Sequence, residues 1–375
     1  MQPKQKVLGG RKSVRVAIVQ TPPVFLDREK CIDRACEKIA EAAGRGAELI
    51  VFPEAWISGY PYWGEGWESN LQGWIPVRVR FYDNSLLIPS EDTARLGEAA
   101  AKANAYVVIG CNEMDSRPGV HTIYNSLLFL DRSGKILGRH RKTMPTFVER
   151  AVWGNGDGSD LVTYDTDIGR IGGLICGEHL MTLIRARLID QGEDFHIGVF
   201  PGAFSIHTGP KLEEADTTGQ FFWGHTSTRA HALEAGCFVL SACGYITKSD
   251  LGADFPLMDT VNVDYAHGGS QIVTPLGFPL VPPTSGDTVL YADCQADMIK
   301  VWKALLDTMG HYSRPDIVRL QYLKSPSEDF SELAVQAFEN SPRDRVEEIA
   351  ERHGLSRESL EPAIERLAKA STKSG

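Results

Sequence analysis

The chain has 375 residues, 42% hydrophobic and 23% charged, which is ordinary for a globular protein and ample for a large core. A formal net charge of −10, with no basic stripe carrying interleaved aromatics, argues against nucleic-acid or anionic-membrane partners. The polar first dozen residues lead into no apolar segment and no apolar run reaches membrane-spanning length, so the expected location is the cytoplasm.

Val14 to Gln20 alternates like a strand and ends at Pro22-Pro23. Asp27 to Ala43 has helical spacing with an acidic start, and Gly44 follows as a stop. Glu48 to Phe52 reads as a buried strand ending at Pro53-Glu54. Ser58 to Ser90 breaks this rhythm: together with Trp56 it places four of the seven tryptophans within 19 residues, a cluster expected to line a pocket or meet another subunit. Asp92 to Asn104 predicts a helix, followed by strands at Tyr106 to Met114, Ile123 to Asp131 and Ile136 to Arg141. Ile168 to Ile175 predicts a strand, Gly177 to His179 a turn, and Leu180 to Gln191 a helix. Beyond these come a strand at Ile197 to Phe200, a mostly helical stretch from Glu213 to Gly236, and strands at Cys237 to Cys243, Gly269 to Thr274 and Val289 to Asp293. Met298 to Leu306 predicts a short helix. The order describes an α/β fold with helices outside mixed sheets. A core domain over residues 13–320 is expected, then a charged extension, 325–375, helical near Asp344 to His353 and Arg357 to Ala370 or partly disordered.

Seven cysteines at irregular spacing, with no CxxC pair, give neither a disulfide framework nor a structural zinc site. Most sit in apolar stretches and read as core residues. Cys176 differs, because it stands at a strand-to-helix junction where a helix dipole and free backbone N–H groups favour a thiolate. Two other predicted strands also end in a reactive side chain, Glu54 and Lys142. Brought together, a carboxylate, an ammonium and a thiol make a base, an anion-stabilising cation and a nucleophile. Taken singly, Glu54 reads as a helix-start acid and Lys142 as part of a solvated basic edge. The combination is what carries the signal. A zinc site from Cys176, His179, His225 and His231 lacks any HExxH or paired CxxC pattern, so no metal or organic cofactor is expected.

The blocks VFPEAWISGYP, RHRKTMPTFVERAVWGNGDGS and GGLICGEH together resemble the nitrilase branch of the carbon–nitrogen hydrolase superfamily. Arg229-Ala230 with Glu234, and His311 to Asp316, are lesser matches. The resemblance covers about Ser13 to Arg319 and implies a four-layer α-β-β-α sandwich. It implies Cys176 as nucleophile, Glu54 as general base, Lys142 as stabiliser of oxyanion and intermediate, and Glu149 as a second carboxylate that positions Lys142 or relays protons. Many members have Trp and Asn where this chain has Gly177 and His179. The Gly177 N–H would still serve the oxyanion hole, while the missing side chain alters the pocket, for which Tyr60 and Trp153 are further candidates. The expected reaction converts a small-molecule nitrile to a carboxylic acid and ammonia through a cysteine thioimidate and thioester. A cyanide hydratase or dihydratase, or an amidase, is the alternative. A catalytically silent scaffold is disfavoured by the intact set. The resemblance also implies a homodimer building block for a larger homo-oligomer or spiral, with Ser58 to Ser90 at an interface.

Overall fold

Alternation along Ser13–Gln20 (β1) decides the layering. Val14, Val16 and Ile18 point one way into a core shared by two sheets, and Ala17 and Val19 point the other way against helices. A strand buried on both faces requires a layer on each side. The computed structural model, which describes residues 6–203 and 222–322, supplies them.

Around β1 the first sheet is formed by β2 (Leu49–Val51), β3 (Leu86–Leu87), β4 (Tyr106–Met114), β5 (Ile123–Leu130), β6 (Ile136–Arg141) and, at the end of the fold, β13 (Thr288–Gln295). Its order is β13-β1-β2-β4-β5-β6, with β3 beside β4. β1 runs parallel to β2 and antiparallel to β13. The second sheet contains β7 (Tyr164–Thr166), β8 (Gly169–Ile175), β9 (Phe195–Phe200), β10 (Phe238–Cys243), β11 (Gly268–Val273) and β12 (Pro279–Ser285), in the order β12-β11-β10-β9-β8-β7. Ile171, Ile175, Phe195, Ile197, Val199 and Leu240 of this sheet meet Val51, Val108, Leu127 and Phe129 of the first, forming the central core.

Helix α1 (Arg28–Gly44), capped by the Asp27 carboxylate on the Lys30 N–H, lays Ile32, Ala35 and Ile39 on the outer face of the first sheet. Two short elements, α2 (Gly66–Ser69) and α3 (Leu71–Asp83), follow. Helix α4 (Glu91–Ala103) joins α1 through Leu96 and Ala100. On the far side, α5 (Thr182–Gln191) and α6 (Trp223–Ala235) cover Val239 and Val273 with Ile189, Ala232 and Ala235. Helix α7 (Ala296–Leu305) closes the described core. The layers are therefore helix, sheet, sheet, helix, as expected.

Three differences from the sequence reading have physical causes. Helix α3 was hidden by Pro76 and by the aromatic and glycine content around it, although Val77 and Phe81 lie buried at helical spacing. Strand β12 was missed because it is a half-exposed, proline-bearing edge strand with little apolar alternation. The tryptophan cluster is mostly interior rather than surface: Trp56 and Trp63 are buried, Trp63 packs edge-on against Trp74 and Phe81, and among the four only Trp67 is exposed. The helix expected from Glu213 is described only as Trp223–Ala235, and the two tail helices lie outside the described residues. Among the described residues no helix is long and apolar enough to cross a membrane.

Candidate active site

Glu54, Lys142 and Cys176 each stand just beyond a strand, where the ladder ends and the backbone is free to turn. Glu54 follows β2 in a turn whose next residue, Ala55, has φ of +47°. That turn lies flat on β4 because Gly110 has no side chain; a Cβ there would run into the Pro53 carbonyl. Lys142 follows β6 and is held by its N–H donating to the Asn125 carbonyl at 2.8 Å. Cys176 follows β8 with φ of +50°, a left-handed conformation that non-glycine residues adopt only when the surroundings impose it. Glu149 sits in a 3-10 turn, Phe147–Ala151, and accepts the Thr146 N–H at 2.6 Å.

These four side chains converge and are all buried. The Lys142 ammonium donates to Glu54 Oε1 at 2.9 Å and Glu149 Oε2 at 2.7 Å. The Cys176 sulfur and an oxygen of each carboxylate lie within 4.8 Å of one another. Asn125 Nδ2 donates to Glu54 Oε1 at 2.6 Å, while Glu54 Oε2 is buried with no partner among the described residues. Tyr60 OH donates to the other Glu149 oxygen at 2.7 Å. Two carboxylates around one ammonium leave one negative charge in excess. Burial therefore pushes Glu54 up to about 7 despite the pull of Lys142, with Glu149 adding to the rise. Burial opposes the Lys142 charge, but Glu149 and Glu54 outweigh it and hold its pKa well above the ordinary value. Burial, joined by Glu54, also drives the Cys176 thiol well above its usual range, against Lys142 and the Gly177 N–H. This corrects the thiolate expected from a helix terminus: α5 begins only at Thr182, and Cys176 opens a 3-10 turn, Cys176–Leu180.

Glu178 ties two of these segments together. It accepts from the Ile175 N–H at 2.8 Å, from the Thr143 N–H at 2.8 Å and hydroxyl at 2.7 Å, and from His140 Nε2 at 2.9 Å. His140 Nδ1 in turn donates to Asp160 at 2.9 Å. The strand end bearing Cys176 is thus bonded to the one bearing Lys142. Burial opposes the Glu178 charge, yet His140 and Thr143 hold it down to about 2. His140, likewise desolvated, is lifted by Glu178 and Asp160 to about 10.

Of the pocket candidates, Tyr60 meets Trp153 edge-on at 5.5 Å, and the Lys142 ammonium lies 5.9 Å from the Trp153 ring. Trp153 Nε1 donates to Asn112 at 3.0 Å. A Cβ on Gly177 would come 2.8 Å from Thr146 Oγ1. The zinc set does not converge on the Cys176 sulfur: His179 bonds its carbonyl, and His225 faces the Gly269 carbonyl. Arg229 and Glu234 bond Gly277 and Arg185, and Arg314 pairs with Asp316 at the surface, so these matches stand apart from the cluster. Sequence reading missed Asn112, Asn125, His140 and Tyr265. The signal for the two asparagines was an amide side chain inside a mostly apolar strand. Tyr265 has no local signal; its half-buried ring lies 5.7 Å from that of Tyr62, and burial, then the charges of Glu149 and Cys176, raise its phenol.

Paired sheets between helices, with a buried thiol, ammonium and two carboxylates at their strand ends, define a hydrolase of carbon–nitrogen bonds. The family model described as Carbon-nitrogen hydrolase matches residues 15–304, and the chain belongs to that family. It is 36% identical to Nitrilase 2 from an unknown prokaryotic organism over 85% of this chain and 95% of that one. It is 35% identical to an aliphatic nitrilase of Rhodococcus rhodochrous, covering 82% and 79% of the two chains. Among solved structures, Saccharomyces cerevisiae Nit3, a nitrilase-superfamily member, shares the fold with a TM-score of 0.63 at 22% identity, covering 83% of this chain and 99% of that one.

The Glu178–His140 pair makes a pH prediction. Glu178, lowered from 4.5 to about 2, contributes stability that is lost as pH falls through that lower value. His140, raised from 6.5 to about 10, contributes stability that is lost as pH rises through the higher one. Their joint contribution is complete between 4.5 and 6.5. Urea titrations of His140→Gln should lose the decline between neutrality and about pH 10 that the unaltered protein shows; identical alkaline limbs would contradict it.

Proposed function

We propose that this hydrolase is a nitrilase, converting a small organic nitrile to a carboxylic acid and ammonia through a covalent intermediate on Cys176. The observation that carries the reading is the buried Glu54 Oε2, without a partner among the described residues, beside a neutral thiol, with the Lys142 ammonium between two carboxylates. Glu54 takes the thiol proton as sulfur attacks the nitrile carbon, and that proton passes to the nitrile nitrogen, giving a thioimidate. Glu54 then deprotonates a water that adds to the carbon. Returning that proton to nitrogen gives a tetrahedral intermediate bearing a hydroxyl and an amine, and passage of the hydroxyl proton through Glu54 to the amine expels ammonia and leaves a thioester. A second water, again deprotonated by Glu54, releases the acid and restores the thiol. Two waters enter, and acid and ammonia leave. Lys142 and the Gly177 N–H face charge developing on the substrate heteroatom, Glu149 holds Lys142 in place, and Tyr60 and Trp153 wall the pocket. The similarity to proteins named nitrilases favours nitriles over amides or cyanide as substrate.

The assembly expected from the sequence finds support in α3, where Leu71, Ile75 and Val79 recur every fourth residue and are exposed beside Trp67. All seven cysteines are free, which suits a reducing compartment such as the cytoplasm.

Cys176→Ala should abolish ammonia release with an unchanged circular dichroism spectrum; substantial residual turnover would sink the assignment. Lys142→Ala should lose about 2.7–4 kcal/mol of transition-state stabilisation, and Glu54→Gln a comparable amount. An ammonia screen over aliphatic, aromatic and arylacetonitriles, with matched amides and cyanide, should favour nitriles. Release from amides alone would overturn the choice. Because protonated Glu54 cannot take the thiol proton, kcat/KM should fall with one-proton slope as pH drops through about 7. A flat profile between pH 5 and 8 contradicts that role. On size exclusion, Ile75→Glu with Val79→Glu should shift the protein to smaller species, and a monomer-only profile for the unaltered chain would reject the interface.

A further inference from the structure

Behind the nucleophile, on the side away from Glu54, lies a second buried polar chain that the reaction above does not use. His179 Nδ1 meets the Cys176 carbonyl at 2.9 Å, and its Nε2 meets His196 Nε2 at 3.1 Å. His196 Nδ1 meets Glu193 Oε1 at 2.9 Å, and His231 Nε2 meets Glu193 Oε2 at 2.7 Å. The four side chains come from the Cys176–Leu180 turn, β9, the segment before it and α6, and all are buried. Space has been cleared for them. A Cβ on Gly198 would lie 2.9 Å from His179 Nε2, and one on Gly172 would collide with Glu193 Oε1.

Donor and acceptor types set the proton count. A carbonyl only accepts, so His179 Nδ1 carries a proton. A carboxylate only accepts, so His196 Nδ1 and His231 Nε2 carry protons. The contact between the two Nε2 atoms needs one more, giving His179 and His196 three protons between them. One of the two is an imidazolium. His196 faces the Glu193 carboxylate while the other partner of His179 is a neutral carbonyl, so the charge belongs on His196. Among the described residues His231 Nδ1 is buried without a partner, as a bare lone pair of a neutral ring would be. The other charged or titratable groups facing this chain are Arg185 near His231, the Cys237 thiol, which receives the His196 backbone N–H, and Glu178 near His179. Burial, together with His196, keeps His179 well below its ordinary pKa and His231 down to about 4, in keeping with neutral rings at both positions.

We infer that Glu193, His196 and His179 are positioning residues that hold a proton behind the nucleophile and, through the Cys176 carbonyl, orient and polarise the Gly177 N–H facing the sulfur. The carbonyl and that N–H belong to one peptide unit, so a donor on the first strengthens the second as a donor. The same bond pins the left-handed backbone of Cys176. The inference rests on Cys176 being the nucleophile.

The test combines a spectrum with kinetics. In protein labelled with 15N-histidine, the long-range proton–nitrogen spectrum at the assay pH should show two buried imidazolium rings, His140 and His196, and His140→Gln should leave one. A spectrum in which no imidazolium survives in His140→Gln overturns the relay, and that result needs no relay variant to fold. Glu193→Gln, which keeps the shape but removes the counter-charge, should lower kcat about tenfold with KM unchanged and slow alkylation of Cys176 by iodoacetamide in parallel. A merely structural role would lower stability and leave both rates of the folded protein alone, and unchanged rates would overturn the proposal. The ring spectrum does not depend on turnover, so activity surviving in Cys176→Ala would fail the nitrilase reading and leave the proton count standing.

Discussion

Everything at the candidate site depends on one desolvated ammonium. Lys142 has no access to water and survives as a cation only because Glu54 and Glu149 lie within hydrogen-bond distance on either side. Removing both partners would leave the buried ammonium uncompensated, at about 3–5 kcal/mol. The converse matters more for chemistry. Burial, with a second carboxylate that one cation cannot also neutralise, makes Glu54 easy to protonate near neutrality. Burial, joined by the Glu54 charge, keeps the thiol protonated at rest. The Cys176 thiol and the Glu54 carboxylate are therefore matched as a proton pair rather than as a preformed thiolate.

The rest of the molecule can be understood as what is needed to bring three strand ends from two sheets to that ammonium. Neither sheet alone contains the site: β2 and β6 deliver Glu54 and Lys142, and β8 delivers Cys176. Glu178 spans the gap between them with four accepted hydrogen bonds. Positive φ at Ala55, Phe147 and Cys176 appears beside each of the three acidic or nucleophilic groups. Such strain, on the order of 1–3 kcal/mol per residue, persists only where packing imposes it, and here the central core and the Glu178 bonds supply the constraint.

How much of this was legible in the sequence follows from which interactions are local. Strands buried on both faces, such as β4 and β5, were plain from their apolar runs, and so were the residues that end them. Glu54, Lys142 and Cys176 could be named because each terminates a recognisable segment, and Glu149 only through the family resemblance of the block that carries it. The supporting groups escaped because their partners are distant in the chain: Asn125 meets Glu54, and His196 meets His179, across separate elements. The charge state of Cys176 was misread for the same reason. A junction beside a helix suggested a thiolate, while the desolvation that decides the matter comes from the whole core. Similarly, α3 was obscured by composition, since Pro76 and the tryptophans masked a spacing that only packing reveals.

The contact between Gly177 and Thr146 has an evolutionary corollary. Any side chain at 177 must first displace a hydroxyl lying 2.8 Å from its Cβ, and Thr146 is itself anchored next to the turn that carries Glu149. The two positions are therefore epistatic. Trimming residue 146 to alanine opens a path along which residue 177 can grow, whereas the reverse order passes through a clash beside the turn that carries Glu149. Diversification of this pocket is thus ordered in time, with the threonine as the gate through which bulk next to the nucleophile must be admitted.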